Sequence, residues 1–116
     1  MVGRLTTHIL DTANGLPAAN VAIRLYAVDG ERELVTAVVS NGDGRTDAAL
    51  LDGEAMRAGT YELEFDIGEY FSVQSGVDRE TAFLQTVVIR FTVNAEEHYH
   101  VPLLVSPWSY STYRGS

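Results

Sequence analysis

Residues 98–116 read HYHVPLLVSPWSYSTYRGS. Their first part alternates: Tyr99, Val101, Leu103 and Val105 fall on one side of an extended chain, and His98, His100, Pro102 and Leu104 on the other. A strand sends successive side chains to opposite faces, so this period reads as a strand with Tyr99, Val101, Leu103 and Val105 against a core. Ser106-Pro107 interrupts the run, because proline cannot donate to a ladder. Residues 109–114 then make a last short strand.

Working back toward the N-terminus, the same period recurs. It places Val87, Ile89, Phe91 and Val93 on one face of residues 86–93. It sets Tyr61, Leu63 and Phe65 opposite Glu62, Glu64 and Asp66 in residues 60–66. Residues 33–39 are another candidate. Residues 21–27 point Val21, Ile23, Leu25 and Ala27 one way, and residues 4–11 do so with Leu5, Thr7 and Ile9. Asn14-Gly15-Leu16-Pro17, Asp29-Gly30 and Asn41-Gly42-Asp43-Gly44 supply the reversals, since Gly and Asn tolerate positive φ. One stretch is helical in character, residues 67–76 (IGEYFSVQSG), and its helix is expected over about 67–75 with Gly76 ending it. Short strands at regular spacing predict an all-β fold, a two-sheet antiparallel sandwich, as a single domain over residues 1–116.

Composition narrows the chemistry. The chain has no cysteine, which excludes disulfides, thiolate metal sites and a cysteine nucleophile. All eight basic residues are arginines, which excludes Schiff-base chemistry on lysine. A net charge of −8 argues against nucleic acid as a partner, because a basic surface is needed to displace counterions. Any anionic ligand must therefore be held by a few local cations. No apolar run approaches the ~20 residues that cross a bilayer, so no membrane association is expected. Residues 1–20 lack a basic start followed by an apolar stretch, and a cytoplasmic location is the expectation.

His8 lies on the outward side of the first strand beside Leu10, and His100 on the outward side of strand 98–105 beside Pro102 and Leu104. A lone outward histidine is ordinarily solvated, and Arg45 after its turn is ordinarily a surface arginine. The partly apolar company of the two histidines points instead to a subunit interface or a ligand groove. Three chemistries fit. His98, His100 and His8 could hold a metal ion with an open position. Two histidines and an arginine could hydrolyse a substrate without metal. The face could also simply bind a small aromatic ligand. A serine nucleophile is disfavoured, because no G-x-S-x-G elbow is present.

Three segments carry a resemblance. LTTHILDTANG (Leu5–Gly15), NGDGR (Asn41–Arg45) and HYHVPLLVSPWSYSTYRGS resemble, in order, the signature regions of the 5-hydroxyisourate hydrolases, the transthyretin-related enzymes of urate breakdown. The ending Tyr113-Arg114-Gly115-Ser116 distinguishes these enzymes from transthyretin, the thyroid-hormone carrier; a non-catalytic carrier is the alternative on the same fold. The resemblance implies a transthyretin-like sandwich assembled as a homotetramer, a dimer of dimers, with sites at the dimer–dimer interface. It implies hydrolysis of the N1–C6 bond of 5-hydroxyisourate with no metal and no organic cofactor. His8, Arg45 and His100 take the catalytic positions, His100 because it directly precedes Val-Pro-Leu-Leu. Substrate binding falls to His8, Arg45 and Tyr113, with Ser116 closing the site. His98 is expected to be accessory or solvated.

Overall fold

The computed structural model describes residues 3–115. The chain runs β1 (Arg4–Asp11), β2 (Leu16–Pro17), β3 (Ala22–Ala27), β4 (Glu33–Val39), β5 (Leu51–Asp52), a single turn of 3-10 helix, β6 (Gly59–Asp66), α1 (Ile67–Ser75), β7 (Thr86–Val93), β8 (Tyr99–Val105) and β9 (Tyr110–Thr112). One sheet has the order β2-β1-β8-β9, with β5 also paired to β1; the other has the order β4-β3-β6-β7. The strands fall where the alternation puts them, to within a residue or two at most ends. The helix occupies Ile67–Ser75 and is capped by Gly76, as expected.

One ladder departs from the antiparallel expectation. β1 and β8 run parallel, with Leu5 opposite Tyr99 and Asp11 opposite Val105. Periodicity reports which face a side chain takes; it carries nothing about the direction of the neighbouring strand. β2 and β5 were also not read from sequence, because two residues show no period.

Most positions the alternation nominated are in the core, although Ala27 and Phe91 are only half-buried, and Leu50, Met56, Tyr70 and Phe71 join it from outside the alternating runs. Leu5, Ile9, Leu25, Leu63, Phe65, Leu103 and Val105 are fully buried between the sheets. Burying such a side chain contributes ~1.5–3 kcal/mol, and these form one continuous cluster. Thr7 shares the inward face of β1 and satisfies its hydroxyl by donating to the carbonyl of Val101 at 2.7 Å. Asp11 is buried as well. It accepts from the Asn14 backbone and amide, and from the Tyr70 hydroxyl at 2.8 Å, which pins α1 to the end of β1. β4, at one edge of its sheet, differs from the other long strands: Leu34, Val35 and Val39 are exposed.

Candidate active site

The parallel ladder brings the two ends of the chain together and sets the site. On the outward face of β1 and β8, Thr6 stands opposite His100 and His8 opposite Pro102. The His8 and His100 rings lie 6.5 Å apart between centroids. Two histidines separated by most of the sequence thus share one surface.

Arg45 arrives from the other side of β1. It pairs with His8 in an isolated antiparallel bridge. The NGDGR sequence explains this placement. The Asn41 side-chain oxygen accepts from the backbone of Asp43 and Arg45, and the Asn41 backbone N–H donates to the carbonyl of Arg45, closing the loop. Gly44 then has φ 75° and gives its carbonyl to the Ile9 N–H at 2.8 Å. A Cβ at position 44 would stand 2.4 Å from the Ile9 carbonyl oxygen, so only glycine lets the loop dock this closely.

Each imidazole is held by one nitrogen. His8 Nε2 lies 2.9 Å from the carbonyl oxygen of Asp43. A carbonyl only accepts, so Nε2 carries the hydrogen and Nδ1 is the basic nitrogen of the neutral ring. His100 Nδ1 lies 2.9 Å from the Thr6 hydroxyl. Partial burial, then the positive charge of Arg45, then His8, push the His100 pKa below its ordinary value. His100 therefore stays neutral at neutral pH.

The C-terminal segment clamps His100. The Gly115 N–H donates to the His100 carbonyl at 2.7 Å, and the His100 N–H donates back at 3.3 Å. A Cβ at position 115 would stand 3.0 Å from the His100 Cβ, so glycine is again the residue that fits. Sequence reading missed Gly115, Thr6 and the Asp43 carbonyl as supports. The available signal was the Gly in the terminal RGS; nothing local marked Thr6.

A cleft of about 510 Å³ opens beside these groups, within the usual size range of small-molecule sites. Arg45, Thr6 and His100 line it, and so do Arg4 and His98. His8 stands beside it rather than in its wall. Tyr113 is not brought into this cleft. It is 61% exposed and lines a separate recess with Phe91, Val101 and Arg114. The shared register of Leu103 with Thr112 and His100 with Gly115 puts the backbone of Tyr113 opposite Pro102, in the row that contains His8. Ser116 lies outside the described residues. The three-histidine metal site is not assembled: among the described residues, no group of three or more His, Cys, Asp or Glu side chains could hold a metal ion.

Comparison with known proteins gives a consistent picture. The HIUase/transthyretin family model matches residues 5–115. The chain is 54% identical over 117 residues to the 5-hydroxyisourate hydrolase of Ralstonia nicotianae, covering 99% of this chain and 100% of that protein. Its fold superposes on Klebsiella pneumoniae 5-hydroxyisourate hydrolase with a TM-score of 0.82 at 33% identity, covering 98% and 99% of the two chains. It superposes on sea bream transthyretin in complex with thyroxine with a TM-score of 0.86 at 31% identity, covering 97% and 94%.

Proposed function

The chain belongs to the HIUase/transthyretin family and hydrolyses 5-hydroxyisourate in urate degradation, and from that premise we propose that His8, Arg45 and His100 carry the reaction. The observation that carries this assignment is the clustering of the three on one surface: Arg45 and His100 line the cleft, and His8 beside it is bridged to Arg45 with its ring 6.5 Å from that of His100.

The bond cleaved is the cyclic amide N1–C6. Water adds to C6, the C6–N1 bond breaks, N1 takes a proton, and C6 leaves as a carboxylate in 2-oxo-4-hydroxy-4-carboxy-5-ureidoimidazoline. His8 takes the proton from water at Nδ1, and its Nε2–H bond to the Asp43 carbonyl persists in the imidazolium and supports it. His100, with its Nδ1–H directed to the Thr6 oxygen, accepts the proton taken from water from the His8 imidazolium at Nε2 and gives it to N1 as the C6–N1 bond breaks, so both rings end neutral. The Arg45 guanidinium, a planar fork, holds a substrate oxygen or an ionised ring nitrogen and stabilises charge that develops on the C6 oxygen. Removing a positioned proton-transfer group typically costs 10²–10⁴ in rate.

The test is the decay of freshly generated 5-hydroxyisourate absorbance above the spontaneous rate. His8→Asn, Arg45→Ala and His100→Asn should each lower kcat/KM by on the order of 10²-fold or more. A near-wild-type rate in any one of them removes that residue from the catalytic set. Binding of aromatic ligands without any turnover would point to a carrier.

We also propose that the chain works as a homotetramer, a dimer of dimers, with Tyr113 and Ser116 completing the site. Support comes from the large apolar side chains left at the surface: Leu16 is 38% exposed, Tyr110 44%, Tyr113 61% and Trp108 71%. Sedimentation should give four times the 12.7 kDa chain mass; a monomer at working concentration overturns the assembly.

A further inference from the structure

We infer that Arg4 and His98 bind the end of the bicyclic substrate remote from the hydrolysed bond. The inference rests on the catalytic assignment above and adds a second point of attachment to it.

The cleft has two ends. Arg45 and His100 stand at one. At the other, continuing the parallel register that pairs Leu5 with Tyr99 by one residue sets Arg4 beside His98, just ahead of β8, while on its other side Arg4 stands opposite Asp52 of β5. Both side chains line the same cleft. The Arg4–His98 row is two residues from the Thr6–His100 row, or about 6.6 Å along the strands. That step is comparable with the long dimension of a fused two-ring heterocycle. A substrate with C6 at His100 therefore reaches its other ring toward Arg4.

Charge pairing singles out Arg4. Carboxylates outnumber arginines sixteen to eight, so partners are plentiful. Arg24, Arg32, Arg79, Arg90 and Arg114 all make ion pairs. Among the described residues Arg4, Arg45 and Arg57 do not, and two of these three line the cleft. Asp47, the carboxylate in the cleft wall, is engaged by the Asn41 amide at 3.0 Å, which ties it to the Arg45 loop. The far end thus presents a guanidinium and an imidazole to a ligand whose outer ring carries carbonyl oxygen and acidic ring nitrogen. These groups orient the ring and do not take part in proton transfer.

The experiment compares Arg4→Gln, His98→Gln and Arg4→Lys with wild type. In Arg4→Gln, KM for 5-hydroxyisourate should rise about tenfold while kcat changes less than about threefold, the signature of lost binding that is equal in ground and transition states. His98→Gln should show the same split at about threefold, and Arg4→Lys should recover part of the loss. Calorimetry supplies a readout that needs no turnover. Affinity for xanthine, a bicyclic oxopurine, should fall about tenfold in Arg4→Gln, and affinity for uracil, which lacks the second ring, should stay within about twofold. Unchanged KM and xanthine affinity in Arg4→Gln overturn the inference. Equal weakening of xanthine and uracil also overturns it, because that is a general field effect. Loss of kcat comparable to His100→Asn overturns the binding role. Full activity in Arg45→Ala strikes the catalytic assignment instead, and the xanthine titration still reads Arg4.

Discussion

On the outward face of the β4-β3-β6-β7 sheet, Arg24 reaches Glu64 at 3.0 Å and Asp66 at 2.7 Å, Arg32 reaches Glu64 at 2.6 Å, and Arg90 reaches Glu62 at 2.8 Å. On the outward face of the other sheet, Arg45 is bridged to His8, and neither it nor Arg4, which stands opposite Asp52 on β5, makes an ion pair among the described residues. The residue type is the same, and the pairing differs. In the first case each charge is neutralised across the strands, which holds Asp66 below its ordinary pKa through Arg24, and Glu62 below its own through Arg90. In the second, positive charge is left without an ion pair in a chain of net charge −8, and it adds to burial, the larger cause, in pushing His100 toward neutrality. A compensated face serves stability; an uncompensated one leaves a positive field free to act on a ligand.

The sharpest way to break the comparison is to strip the uncompensated face of its clamp. A chain ending at Thr112 loses both backbone bonds between His100 and Gly115. Misplacing a catalytic group by about 1 Å can cost on the order of 10²-fold, so kcat/KM should fall by about that factor while the melting temperature moves by only about 2–4 °C. Full activity in the truncated chain would remove the tail from the site.

A subtler change keeps the tail and releases the ring. Thr6→Val deletes the 2.9 Å contact to His100 Nδ1 without changing shape. Expected is a drop in kcat of about tenfold with KM little altered, and Thr6→Ser should restore most of it. NMR titration adds a readout that a merely structural role would not move. The wild-type His100 midpoint should lie below ~6.5, because burial and nearby positive charge disfavour the imidazolium.

The smallest effect belongs to the compensated face. Arg24→Ala should leave turnover unchanged and cost about 1 kcal/mol of stability at neutral pH, read by urea unfolding. Its sign with pH is set by Asp66, whose folded pKa is lowered. The contribution is present above the unfolded carboxylate value near ~3.9 and is lost as pH falls through the folded value. The wild-type and variant curves should therefore converge in acid; a gap that persists below about pH 2 would mean packing, not charge, was lost.

Much of this was legible in the chain. The alternating positions of residues 60–66 and 98–105 named the core, because a side chain's face depends only on its place along its own strand. The loop NGDGR announced a tight reversal, since Asn41 and Gly44 act within five residues; its docking on β1 came only with the fold. His8 and His100 were both visible as outward. Tyr113 came to the site only through the family resemblance, and in the single chain it lines another recess.

What the sequence by itself determined was therefore local: strand faces, turns, the helix ending at Gly76, and the residue types available for chemistry. Only the tertiary structure decided that β1 and β8 lie side by side and parallel. That pairing brings Thr6 to His100, His8 to within 6.5 Å of it, and Arg4 beside His98. The physical reason is that strand pairing is chosen by the whole core closing at once, over separations of more than ninety residues, and no short-range pattern encodes it.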